Sequence, residues 1–156
     1  MTYDVTLTEL ASTTTCHQRV HTTAAGIAGA VGRGLQELYE FAADCSAAPT
    51  GPPQLALAGP LTDGDVTLDL YLPISATPAA RGPIDVVVLP EGPAAQTFHH
   101  GRYEDVPAAY EAVFAWIREH GRHQAGPPRE LYLTGPDTAT NPADYLTEVV
   151  VPLRRD

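Results

Sequence analysis

Residues 3–9 alternate apolar Tyr3, Val5 and Leu7 with polar Asp4, Thr6 and Thr8, the pattern of a half-buried strand. Residues 13–20 are β-branched at their start and are expected to pair with it. From 24 to 44 the period changes. Ile27, Val31, Leu35, Leu38 and Phe41 recur at helical spacing, with Thr22 and Thr23 as the expected caps. Gly26, Gly29, Gly32 and Gly34 weaken this helix, each by up to about 1 kcal/mol against alanine. They read as a helix whose backbone approaches a neighbour closely. A phosphate loop would carry a Gly-Lys-Ser/Thr element, which the chain lacks.

Two strands follow at 54–58 and 66–72, joined by the turn-rich stretch from Gly59-Pro60 to Gly64. After a linker at 76–82 the same order returns. A strand at 84–89 precedes its expected partner at 94–100. Next comes a helix with Asp105 as its expected cap and Pro107 in its first turn. Val106, Tyr110, Val113 and Ile117 share one face of it, flanked by Phe114 and Trp116. Strands at 129–134 and 145–151 close the pattern. Adjacent strands without helical crossovers favour antiparallel pairing. The expected fold is α+β: duplicated strand-strand-helix-strand-strand units forming an eight-stranded antiparallel sheet, with two main helices and a central cleft.

The duplication is also visible in the residues themselves. Pro52-Pro53-Gln54-Leu55-Ala56-Leu57-Ala58-Gly59-Pro60 returns as Pro127-Pro128-Arg129-Glu130-Leu131-Tyr132-Leu133-Thr134-Gly135-Pro136, with one inserted residue. Asp69-Leu70-Tyr71-Leu72-Pro73-Ile74 returns as Glu148-Val149-Val150-Val151-Pro152-Leu153. Residues 1–156 read as one domain with halves at about 2–74 and 84–153. Function is to be sought where the copies differ, most sharply at Gln54 against Glu130 and at Ala56 against Tyr132.

The formal net charge is -10 and all nine basic residues are arginine. Nucleic-acid binding needs a clustered basic surface, and none is visible, so no nucleic-acid partner is expected. The arginine bias reads as the codon usage of a GC-rich genome. No apolar run approaches a membrane span and no signal segment opens the chain, so the expected location is cytoplasmic. Cys16 and Cys45 read as buried thiols rather than a disulfide framework. The histidines come in pairs: His17 and His21, His99 and His100, His120 and His123. Neighbours on a strand point to opposite faces, and no cysteine or carboxylate completes a zinc-like set. Neither a metal nor a cofactor is expected.

The second copy carries a family resemblance. Gly101-Arg102-Tyr103-Glu104-Asp105-Val106, Ala109-Tyr110, Trp116-Ile117, Gly126-Pro127, Glu130-Leu131-Tyr132-Leu133 and Thr147-Glu148-Val149 ending in Pro152-Leu153 follow in that order. Together they resemble the GyrI-like small-molecule-binding family, a duplicated (SHS2) domain that serves as effector-binding domain in many bacterial AraC- and MerR-type regulators. The resemblance implies a cleft that receives lipophilic, often cationic, compounds, with a buried glutamate at the position of Glu130. The regulators add a helix-turn-helix segment. This sequence begins at once with the domain's first strand and is expected to be a stand-alone copy.

Leu131 and Leu133 match Leu55 and Leu57 and are expected to fill the core face, leaving Glu130 and Tyr132 on the other. A carboxylate beside an aromatic is costly to bury unless it has a partner, and a bound cation supplies one. Tyr71, Phe98, Tyr103, Tyr132 and Tyr145 are the candidate cleft aromatics, with Trp116 shared between cleft and helix core. Glu148, whose counterpart is Asp69, reads as structural or solvated. The leading expectation is a protein that binds a small lipophilic, cationic or electrophilic ligand; no protein partner is indicated. The alternative, which the resemblance implies through stand-alone relatives of that activity, is a hydrolase of electrophilic, cyclopropane-bearing natural products, with Glu130 as general acid or base. A third reading is an inhibitor that binds a DNA enzyme.

Overall fold

The computed structural model of the chain describes residues 2–58, 64–135 and 139–155. The expected turn at Gly59-Pro60, and Pro136 of the repeat, lie outside the described residues. In chain order come β1 (Thr6–Leu10), β2 (Thr13–Thr22), α1 (Ile27–Asp44), β3 (Gln54–Leu57) and β4 (Val66–Pro73). Then follow β5 (Asp85–Leu89), β6 (Gly92–His100), α2 (Pro107–Glu119), β7 (Arg129–Thr134) and β8 (Leu146–Pro152). The order strand-strand-helix-strand-strand therefore occurs twice. The strand pairings within each unit are antiparallel, and the fold is α+β as expected.

Two compact units are formed, one of Ser12–Pro90 and one of Met1–Ala11 with Glu91–Asp156. The first orders its strands β3-β4-β2-β5 and carries α1; the second orders them β7-β8-β6-β1 and carries α2. The two topologies are the same, with β5 and β1 in equivalent places. Two expected pairings are therefore not made. β1 pairs with β6, through Thr6 opposite Gln96 and Leu10 opposite Gly92, and not with β2. β5 pairs with β2, through Thr13 opposite Leu89 and His17 opposite Asp85, and not with β6. Each unit takes its outermost strand from the other half of the chain. The connections Ala11-Ser12 and Pro90-Glu91 lack the Asn-Gly or Gly-X chemistry of a tight hairpin, which suits a chain that passes there from one unit to the other.

The helix caps also differ from expectation. Thr23 makes no side-chain capping bond, and the residue before α2 is Val106, not Asp105. Each helix is entered through a 3₁₀ turn, Ala24–Gly26 or Tyr103–Asp105, whose carbonyls take up free N–H groups, as in Gly26 N–H to Thr23 O at 2.9 Å.

Along α1 the fully buried stripe is Ala30, Gly34, Leu38, Phe41 and Ala42. Gly34 faces the sheet, where a Cβ would lie 2.4 Å from Leu70 Cδ1 and 3.4 Å from Val20 Cγ2. Leu70 is 0% exposed and has no free space to swing into. Gly34→Val is therefore expected to destabilise the protein by about 1–3 kcal/mol through overpacking, read from the urea midpoint at unchanged slope. In the second unit Val106, just before α2, and Ala109, Val113 and Ile117 of α2 pack on Ala95, Val149, Val151 and Leu153. Among the described residues no helix is long and apolar enough to cross a membrane.

Candidate functional site: a carboxylate among tyrosines

The register of β7 decides which way Glu130 points. Glu130 lies opposite Val149, and Thr97 lies opposite Val149 on the other side. Tyr132 and His99 both lie opposite Thr147, one row further along. Partners across an antiparallel pair share a face. Val149 is part of the core that α2 covers. Glu130 and Tyr132 thus face the helix, and Leu131 and Leu133 face away from it, with Leu133 left 37% exposed. The expectation that these leucines fill the core face is corrected. The alternation was right, but the face was reversed.

This register also corrects the comparison of the copies. Asp69 pairs with Ala56, and Glu148 pairs with Leu131. With the two acids taken as equivalent, Glu130 corresponds to Leu55 and Tyr132 to Leu57. The charge therefore stands where the first copy has an apolar residue.

Around Glu130 the unit assembles phenols from four segments. Tyr110, on α2, donates from its hydroxyl to Glu130 Oε2 at 2.8 Å. Tyr132 donates to Oε1 at a long 3.5 Å. Tyr103, on the turn before α2, packs edge-on against Tyr132 with centroids 5.5 Å apart. It also stacks on Tyr145 at 5.1 Å and 29°. Such geometries place the positive edge or offset face of one ring against its neighbour. A Cβ at Gly135 would come within 2.8 Å of the Tyr103 hydroxyl, so the glycine makes room for that ring.

Burial raises the Glu130 carboxyl above its ordinary range. The hydrogen bonds from Tyr110 and Tyr132 and the nearby His99 offset this only in part. Burial likewise raises Tyr110 and Tyr132, reinforced by the Glu130 charge, so both phenols stay protonated and act as donors. The result is a half-buried carboxylate whose hydrogen-bond partners among the described residues are neutral hydroxyls.

The remaining candidates lie elsewhere. Phe98 is directly opposite Glu148 on the face away from α2 and is 42% exposed. Burial raises the Glu148 carboxyl. Trp116 stacks on His120 with centroids 4.0 Å apart, at the end of α2. Tyr71 belongs to the other unit, where its ring lies 4.9 Å from that of His17. Sequence reading assigned Tyr110 to the helix core and passed over His99 and Tyr3, which are hydrogen-bonded to each other at 2.9 Å.

In the unit of residues 12–90 the polar centre is Asp69. His17 bridges two carboxylates, with Nε2 2.7 Å from Asp69 and Nδ1 2.7 Å from Asp85. Arg19 adds a two-pronged contact to Asp69 at 3.0 and 3.1 Å. Depressions of about 440 Å³ and 320 Å³ open on this unit, lined by residues such as Thr14, Thr50 and Gln54, or Gln18, Arg33 and Glu37. Neither is lined by Glu130 or its tyrosines. Cys16 is buried, which pushes its thiol up to about 11, and both cysteines are free.

The model of the GyrI-like small molecule binding domain matches residues 16–154. The chain belongs to that family. The GyrI-like domain is a small-molecule-binding domain, and the fold agrees with solved structures. EcmrR in a DNA complex is 19% identical at a TM-score of 0.87, and the match covers 99% of this chain and 58% of that one. The GyrI-like chain thus spans little more than half of EcmrR. A hydrolase encoded by lin2189 from Listeria innocua is 13% identical at a TM-score of 0.67, covering 95% and 91% of the two chains. SAV2435 bound to tetraphenylphosphonium is 21% identical at a TM-score of 0.61, covering 99% and 94%. No functionally curated protein matches the sequence.

Proposed function

We propose that this GyrI-like domain binds a lipophilic organic cation with its charge at Glu130 and its apolar body against Tyr103, Tyr132 and Tyr145. The observation that carries the reading is the half-buried Glu130 carboxylate, whose hydrogen-bond partners among the described residues are phenols. A charge in that setting gains most from a counter-charge that brings its own apolar shell. SAV2435, which shares the fold, is bound to such a cation. The test is calorimetric titration with methyltriphenylphosphonium and with neutral triphenylphosphine oxide, which are close in size. The cation is expected to bind at least tenfold more tightly. Equal affinities would end the reading.

A second reading rests on the same raised carboxyl. A glutamate whose carboxyl burial raises above its ordinary value, beside Tyr110, suits a general acid acting on an electrophile. The Listeria neighbour is a hydrolase. Mass spectrometry of a cyclopropane-bearing alkylating compound after incubation separates the two. Unchanged compound supports binding alone, and a water adduct supports hydrolysis.

With a net charge of -10, the protein is expected to retain no labelled DNA duplex. Salt-dependent retention at micromolar protein would contradict this.

A further inference from the structure

We infer that His99 is the positioning residue of the tyrosine site. It holds the turn that sets the Tyr103 ring against Tyr132 and Tyr145. The inference that this governs ligand affinity rests on the binding reading above; the placement of Tyr103 does not.

His99 lies on β6, is 0% exposed, and shares the α2-facing side of the sheet with Tyr132 across Thr147. Its Nε2 is 2.9 Å from the carbonyl oxygen of Arg102, only three residues on. A carbonyl only accepts, so Nε2 carries the proton. On the other side of the ring, Nδ1 is hydrogen-bonded to the Tyr3 hydroxyl at 2.9 Å. Both ring nitrogens are satisfied, and each fixes a different segment: Tyr3 ahead of β1, and Arg102 at the start of the Tyr103 turn.

That turn depends on the contact. Gly101 has φ +126°, a conformation that side-chain-bearing residues rarely adopt, and it folds the Arg102 carbonyl back over His99. The Gly101 N–H donates to the carbonyl of Tyr145 at 2.8 Å. The turn is thus pinned to Tyr145 through one backbone group and to His99 through the next. Within the turn the Arg102 carbonyl also accepts from the Asp105 N–H at 3.1 Å, a bond that closes the 3₁₀ turn but does not tie it to the sheet. The Arg102 guanidinium makes exposed ion pairs, with Glu104 at 3.7 Å and Asp105 at 3.4 Å, and such pairs hold little in water. Tyr103 follows directly and reaches the rings of Tyr145 and Tyr132. Without the imidazole, the Arg102 carbonyl keeps its bond from the Asp105 N–H but loses its buried tether to the sheet, and the turn will shift as a unit, taking the ring with it.

The two nitrogens are separable by substitution. In His99→Gln the side-chain amide nitrogen falls near Nε2 and can still donate to Arg102, while the Tyr3 contact is lost. In His99→Asn the side-chain oxygen falls near Nδ1 and can still accept from Tyr3, while the Arg102 contact is lost. The full chain is labelled with 3-fluorotyrosine, and the Tyr103 ¹⁹F resonance is assigned by its disappearance in Tyr103→Phe. Stacked and edge-on neighbours displace that resonance through their ring currents. Both His99 variants are expected to melt at lower temperature. Only His99→Asn is expected to move the Tyr103 resonance towards the free value, and only it should weaken methyltriphenylphosphonium, by about tenfold. His99→Gln should stay within about threefold of wild type. A resonance unmoved in His99→Asn, or moved equally in both variants, overturns the assignment whether or not the phosphonium binds. If wild type fails to bind the phosphonium but the resonances follow the expected pattern, the ligand reading fails and the positioning role stands. Should a His99 variant not fold, Gly101→Ala strains the same turn and should displace the same resonance; no displacement there would equally overturn it.

Discussion

Glu130→Gln is expected to weaken methyltriphenylphosphonium by about five- to thirtyfold, or about 1–2 kcal/mol, and to leave triphenylphosphine oxide almost unchanged. The substitution preserves shape. The amide oxygen can still accept from the Tyr110 hydroxyl, which now donates to Glu130 at 2.8 Å. The charge is lost, and the amide NH2 replaces the acceptor of the long Tyr132 contact, where the phenol oxygen can accept in its turn. In water that charge would matter little to a bulky cation, but burial has raised the Glu130 carboxyl, which shows how poorly solvated it is. The same burial gives the apo protein a pH dependence with a definite sign. A carboxyl raised in the folded state contributes stability below the ordinary carboxylate range and loses it as pH rises through the raised value. At neutral pH the ionised group is a net cost, so the glutamine variant should be as stable as wild type or more so. Cation affinity should run the other way, rising with pH as Glu130 ionises, and the variant should show no such rise. Equal losses for the cation and the neutral compound, or the same pH profile in both proteins, would mean that another group reads the charge.

How much of this was legible in the residues depended on whether one segment sufficed. The alternation in 129–134 placed Glu130 and Tyr132 on a common face without any partner. Which face that was depended on Glu130 lying opposite Val149, a long-range register that β7 alone does not contain. The leucines misled because large apolar residues usually mark the core, yet Leu57 and Leu133 remain 43% and 37% exposed. Neighbouring strands usually pair, and this general tendency misassigned β1 and β5. The signal against it was local: Ala11-Ser12 and Pro90-Glu91 are poor hairpin turns. Tyr110 was readable as a helix residue next to the core, but its hydroxyl meets Glu130 from another element, which periodicity does not report. Of His99 and His100, alternation said that one would point inward, and it is His99, at 0% exposure. The contrast between Asp69 and Glu148 was equally hidden. The acids recur in the sequence, but only the pairing of β2 with β4 gives Asp69 its two basic partners, His17 and Arg19.

Asp69→Asn is expected to destabilise the protein by about 1–3 kcal/mol at neutral pH, with the loss disappearing in acid. Asp69 is 7% exposed, and burial by itself would raise its carboxyl. The hydrogen bonds from Arg19 and His17, with their charges, outweigh burial and hold it below its ordinary value. A depressed carboxyl contributes stability above its unfolded value, near pH 4, and loses it as pH falls through the lower folded value. Below that value wild type carries a neutral Asp69, which resembles the asparagine variant. The two unfolding midpoints should therefore differ near pH 7, approach each other below about pH 4, and coincide at the acid end. The consequence reaches beyond one side chain. His17 also contacts Asp85 on β5, the strand this unit takes from the other half of the chain, so the Asp69 cluster helps fasten that strand to β2. Hydrogen exchange at Val86 and Val87 should accelerate in the variant at pH 7 more than exchange at Leu68 and Leu70 on β4. A stability gap that persists unchanged at acid pH would show that packing, and not the ionised carboxylate, accounts for the role of Asp69.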